Sequence, residues 1–109
     1  MRAPCKVKIM GRWFKIQYVY GPTDPDLSRR YAGNTNCSEG IIKIDSRLGR
    51  DEIKTTLWHE LTHGADIESA DGEESLILRE DQIARLSRTQ FAVMRDNMKL
   101  IAWMLEYDK

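Results

Sequence analysis

Between Cys5 and Gly21 the chain reads CKVKIMGRWFKIQYVYG, with apolar side chains at Val7, Ile9, Trp13, Ile16, Tyr18 and Tyr20 set among polar ones on either side of Gly11. A two-residue period belongs to half-buried strands, and a glycine between two such runs marks a turn. The pattern predicts two strands joined at Gly11. The stretch Gly21–Asp26, GPTDPD, carries two prolines and closes the strand region as a loop. The following LSRRYAGNTNCSEG has weak periodicity and several turn formers, and reads as a loop or a short helix. It leads into Ile41–Asp45, IIKID, whose β-branched alternation at Ile42 and Ile44 predicts a further strand.

The period then changes. In SRLGRDEIKTTLWHELTHGA, Ile53, Leu57, Leu61 and Ala65 fall on one stripe at 100° per residue, and Asp51 and Glu52 suit the positive end of a helix. Gly64 sits where this helix either packs closely or begins to end. The acid-rich DIESADGEE, residues 66–74, reads as a solvated connector. A second long helix is predicted from the spacing of Ile83, Leu86, Gln90, Phe91 and Met94, and a shorter terminal one from Met98, Ile101, Ala102 and Leu105, divided near Asp96–Asn97. Strands followed by helices predict an α+β fold: a small twisted antiparallel or mixed sheet packed on one helix and a C-terminal helical segment.

Composition adds bounds rather than elements. With 109 residues, 41% hydrophobic and 31% charged, the chain is expected to form one globular domain over residues 1–109 with one modest core. A domain of this size gains usefully from a bound metal. Lys and Arg balance Asp and Glu at 17 each, so no nucleic-acid or membrane partner is expected. The balance is uneven, +4 over residues 1–65 and −4 over residues 66–109, which reads as two solvated surfaces. Cys5 and Cys37 match no zinc knuckle or disulfide framework and read as free thiols, buried or half buried. Neither a signal peptide nor a membrane span is legible, which makes a cytoplasmic protein the expectation.

The chemistry concentrates in LWHELTHGAD. The only two histidines, His59 and His63, stand four apart with Glu60 directly after the first. On a helix they lie about 40° apart on the side away from the apolar stripe, close enough for two imidazole nitrogens to reach one Zn²⁺. Glu60 is then beside the metal without having to bind it, placed to take a proton from zinc-bound water and to deliver it to a leaving amine. Chance produces this arrangement on the order of once in a thousand such chains. A catalytic zinc takes a third protein ligand. The candidates are Asp66, Glu68, Asp71, Glu73, Glu74, Glu80 and Asp81. Asp66, short and close to the histidine row, suits support of the ligands better than ligation. Glu80 opens the next amphipathic segment, where a rigid helix can hold it against the first, and is the choice, with Asp81 next.

These residues resemble the gluzincin branch of the zincin metallopeptidases. More narrowly, EGIIKID, DEIKTTLWHELTHGAD and EDQIARLSRTQFAVMRDN together resemble small phage and bacterial proteins related to the ImmA/IrrE metallo-endopeptidases, over Gly40 to about Asn97. The resemblance assigns zinc to His59, His63 and Glu80 and the base to Glu60. A metzincin is disfavoured, since Ser69 stands where its third histidine would be and Asp66 where its glycine would be. The resemblance further implies a minimal zincin-like domain with a cleft between sheet and helices, in which Ile41–Asp45 is the sheet edge that pairs with an extended peptide. Tyr31 is a candidate oxyanion donor set against ordinary packing, and is left out of the site. The expected function is zinc-dependent hydrolysis of peptide bonds in a specific protein partner. The alternatives are a catalytically silent zinc-binding interaction or regulatory module, against which Glu60 argues, and a zinc hydrolase acting on a non-peptide bond.

Overall fold

The structure, a computed structural model, describes residues 2–27 and 31–106. Four strands, β1 (Lys6–Ile9), β2 (Arg12–Val19), β3 (Gly33–Asn36) and β4 (Ile41–Asp45), precede three α-helices, α1 (Arg50–Ala70), α2 (Glu80–Asp96) and α3 (Met98–Met104), with single 3₁₀ turns at Gly21–Thr23 and Glu74–Leu76. The class is α+β with one mixed sheet. Its order is β1-β2-β4-β3, antiparallel at β1–β2 and β3–β4 and parallel at the β2–β4 seam.

β1 and β2 close through the two-residue turn Met10–Gly11, both at positive φ (49° and 83°). This is the hairpin turn whose twist matches that of the flanking strands, and it favours glycine at its second position. The turn also sets the phase. Opposite pairs Val7↔Phe14 and Ile9↔Arg12 put Phe14 and Ile16 on the inner face with Ile9. Trp13 consequently points the other way, 56% exposed, beneath the ammonium groups of Lys6 and Lys8, a correction to its expected place in the inward series. Tyr20 is exposed as well.

Ile9, Phe14, Ile16, Ile42 and Ile44 form the buried core, and Ile53, Leu57, Leu61 and Ala65 of α1 pack against it, the stripe read from the sequence. Each fully buried isoleucine or phenylalanine contributes about 1.5–3 kcal/mol of burial. α1 begins at Gly49, whose N–H bonds to Glu52 Oε1 at 3.3 Å, with Asp51 and Glu52 in the first turn. It does not end at Gly64. Gly64 is a packing residue: a Cβ there would lie 2.9 Å from Ile9 Cδ1, so its absence lets the helix settle onto β1. The helix runs through buried Ala70 and stops at Asp71, a left-handed residue (φ 49°), followed by Gly72 (φ 84°). The connector expected over residues 66–74 therefore shrinks, because Asp66 and Glu68 find partners in Leu78 and Arg12 while Ala70 extends the buried side.

Two further corrections concern the sheet. Gly33–Asn36 is a strand where a loop or short helix was expected; residues 28–30 of that stretch lie outside the described residues. As a result β4 is interior, bonded to β2 and β3, and cannot be the edge expected of it. The edge strands are β1 and β3, and β3 is the one that lies against Glu60 of α1. Cys37 is half buried as expected, Cys5 is exposed, and both are free. α2 ends at Asp96, and Asn97, with its Nδ2 on Val93 O at 2.8 Å, separates it from α3, as the spacing predicts. Among the described residues no helix is long and apolar enough to cross a membrane.

Candidate metal centre

His59 and His63 sit one turn apart on α1, on the side away from the core, each about one-fifth exposed. Glu80 is the first residue of α2, and its carboxylate faces both rings: Oε1 lies 2.7 Å from His59 Nε2 and Oε2 lies 2.6 Å from His63 Nε2. The two imidazoles meet edge to face with centroids 4.8 Å apart. Glu80 keeps its place because α2 is anchored one turn later by Ile83, fully buried, and because Gln82 Oε1 takes the Arg79 N–H at 2.8 Å where the helix starts.

The donor set suits a metal. One atom each from His59, His63 and Glu80 lie within 4.8 Å of one another. Zinc bonds of about 2.0–2.1 Å place tetrahedral ligand atoms roughly 3.3 Å apart. The Glu80 oxygens already lie 2.7 and 2.6 Å from the two Nε2 atoms, and the Glu80 side chain is 64% exposed. Two imidazoles and a carboxylate are a set taken by hydrolytic zinc, and also by non-haem iron(II). Of the other sequence candidates, Asp71, Glu73 and Glu74 stand outside this group, and Asp66, Glu68 and Asp81 have other partners. Asp81 pairs with Arg79 (3.1 Å), which holds its carboxyl below the usual range, and Glu68 pairs with Arg12 (2.8 Å). Asp71 caps α1. Asp66 Oδ2 accepts the Leu78 N–H at 2.9 Å, fixing the chain two residues before Glu80.

Glu60 is the second half of the site. It is 5% exposed, facing β3, where a Cβ on Gly33 would stand 2.8 Å from its Cγ. Thr35 Oγ1 lies 2.7 Å from Glu60 Oε1 and 3.0 Å from its carbonyl oxygen, which fixes the rotamer. Burial pushes the Glu60 carboxyl above its usual value, opposed by the Thr35 hydroxyl and the two imidazoles. A base so placed binds a proton more readily than an exposed carboxylate does. Gly33, Thr35 and Ser87 are site residues the sequence reading missed. Buried Ser87 places Oγ 3.5 Å from His59 Nδ1. Its signal was available: seven residues after Glu80, it shares that helix face.

The group stands between two cavities. One, about 620 Å³, opens toward α2 and is lined by Tyr31, Thr56, His59, Glu60, Glu80 and Arg88 among others. The second, about 360 Å³, lies toward β3 with Asp26, Asn34, His63 and Ile67. Tyr31, 57% exposed, borders both and Glu60 faces both. The four residues expected to act together are thus neighbours along the two cavities, with Glu60 and Glu80 lining both, His59 the first and His63 the second. No protein-family model, no curated protein and no solved structure matches this chain, so the resemblance to the gluzincins rests on the quoted residues alone.

Proposed function

We propose that the protein is a zinc-dependent metallopeptidase of gluzincin type that hydrolyses peptide bonds in a specific protein partner. The observation that carries this reading is the buried carboxylate of Glu60 bordering both cavities that flank the His59–His63–Glu80 group. Binding a metal alone calls for no such carboxylate, whereas hydrolysis needs a base at that place. The hydrolytic use of the donor set is favoured over the iron one for the same reason.

His59, His63 and Glu80 would hold the ion. When bound, zinc supplies Lewis acidity, polarising the scissile carbonyl and lowering the pKa of water toward neutrality. Glu60 accepts the proton of the attacking water and passes it to the leaving amine nitrogen. Thr35 holds Glu60 in the orientation for both transfers, and Ser87 borders the far nitrogen of the His59 ring. An extended substrate lies along the free edge of β3, pairing through backbone hydrogen bonds above the cleft. An edge strand over a helix bearing the HExxH motif supports a minimal zincin-like arrangement. A cytoplasmic protein of phage or bacterial origin belongs to the same reading, carried by the ImmA/IrrE resemblance.

The test is Glu60→Gln. The variant is expected to keep its fold and about one zinc per chain, and to lose roughly 10²-fold or more in cleavage of a protein substrate from the same host. If it retains zinc and cuts as well as the unaltered protein, or if neither protein cuts anything, the enzyme gives way to a zinc-binding interaction module.

A further inference from the structure

Resting on that reading, we infer that the cavity beside α2 is a subsite for a substrate carboxylate, held by Arg88 and Arg95. Along α2 the cavity is lined by Glu80, Ala84, Ser87, Arg88, Phe91 and Arg95. These recur at helical spacing, so one face of one rigid helix forms the wall from the metal group outward. The charges on it are sorted. Both carboxylates that line the cavity, Glu60 and Glu80, are at the metal end, and beyond them come two guanidinium groups and the hydroxyl-bearing Thr55 and Thr56 of α1.

Exposed arginines are common on helices, and most are simply solvated. These two differ in facing a shared concavity without a matched acid. Among the described residues Arg88 has no carboxylate within ion-pair distance, and Arg95 has only its neighbour Asp96, at 3.7 Å. Phe91 lies between them, its ring tilted against Trp58 with centroids 6.4 Å apart, and offers an apolar wall to the stem of an acidic side chain. A guanidinium fork matches a carboxylate in two parallel hydrogen bonds.

Helix geometry supplies a ruler. Arg88 is eight residues beyond Glu80, about 12 Å along the axis, and Arg95 about 22 Å. An extended peptide advances about 3.3 Å per residue, so where the substrate leaves the β3 edge and follows α2 from the metal group, Arg88 addresses roughly the third or fourth residue from the scissile bond and Arg95 serves one further out. The carboxylate is supplied either by an Asp or Glu side chain or by the end of the substrate chain.

Binding to the zinc-loaded Glu60→Gln protein, followed by fluorescence anisotropy, tests this without any need for turnover. The probes are labelled, otherwise uncharged peptides with amidated ends in which one glutamate is moved position by position, their glutamine counterparts, and a neutral peptide with a free C-terminal carboxylate. At low ionic strength the best glutamate peptide is expected to bind about tenfold more tightly than its glutamine counterpart, the gap closing in high salt and vanishing when Arg88→Gln and Arg95→Gln are added. A gap produced only by the free C-terminus assigns the carboxylate to the chain end. Equal binding of acid and amide, no binding of either, or a gap that survives the added Arg88→Gln and Arg95→Gln changes overturns the subsite. A wild-type protein that cuts nothing while the gap is present removes the peptidase reading and leaves the carboxylate site standing.

Discussion

Asp66→Ala and Glu80→Ala should separate a residue that positions from a residue that binds. In the structure the Asp66 carboxylate touches no member of the metal group; it takes the Leu78 N–H at 2.9 Å, and Leu78 is two residues from Glu80. A hydrogen bond to a charged group contributes about 1.5–3 kcal/mol, and partial exposure brings that to about 1 kcal/mol here. If all of it appears as misplacement of Glu80, metal affinity falls about fivefold, since 1.4 kcal/mol is tenfold. Removing Glu80 deletes a donor, and the loss should exceed the 10–100-fold, or about that, which partners one layer out produce. Competition with a chromophoric chelator at fixed pH measures both. Thermal denaturation without metal gives the converse order: Asp66→Ala lowers Tm by about 4–8 °C for its one kcal/mol, while the exposed Glu80 carboxylate costs little. A loss for Asp66→Ala as large as for Glu80→Ala would move the third ligand to Asp66 and refute the account of the start of α2.

Two other outcomes follow from the scaffold. Asp45, 5% exposed, accepts hydrogen bonds from the Arg47 side chain and backbone and from Gly21 N, and Arg47 holds its carboxyl at about 2, below the ordinary 3.8. A carboxylate with a lowered folded pKa stabilises above its unfolded value and ceases to as the pH falls through the folded one; Asp45→Asn should therefore flatten the fall in Tm between about pH 4 and about pH 2, and an unchanged slope there would refute it. Gly64→Val should crowd Ile9 Cδ1, 2.9 Å from the new Cβ, and destabilise by about 1–3 kcal/mol, read by urea denaturation at unchanged m-value; a variant as stable as the parent would show that α1 does not rest on β1 there.

Much of this was legible because it is local. The β1–β2 hairpin, β4, the α1 stripe and the start of α2 at Glu80 all follow from periods of two or 3.6 and from turn or capping residues within a few positions. The HELTH face needs only helical geometry to bring His59 and His63 together. Glu80 was reachable because it opens the amphipathic segment that becomes α2, where its carboxylate meets both histidines. β3 was not legible. Its sequence, GNTN, has no apolar alternation, since its working contacts are a missing side chain at Gly33 and a hydroxyl at Thr35, both set by Glu60 of α1. The order of the strands was hidden for a related reason: without β3, nothing in IIKID says that it has neighbours on both sides. The phase of Trp13 turned on Met10 joining Gly11 at positive φ, a conformation that methionine seldom adopts.

The sheet divides labour as well as space, since β3 alone of its strands borders the cavities beside the metal group. Asp26 through Arg95 supply the lining of both cavities beside the metal group, while β1 and β2 supply Ile9, Phe14 and Ile16 of the core and no cavity wall there. The first hairpin meets the site's helix from below, at Ile9 beneath Gly64, one residue past His63. Substitutions in β1 and β2 thus bear on stability and leave the walls of these cavities unchanged, whereas substitutions in the later segment reach the walls themselves. The cavity walls on β3 and the helices can therefore vary while β1, β2 and β4 keep the core that holds the chain folded.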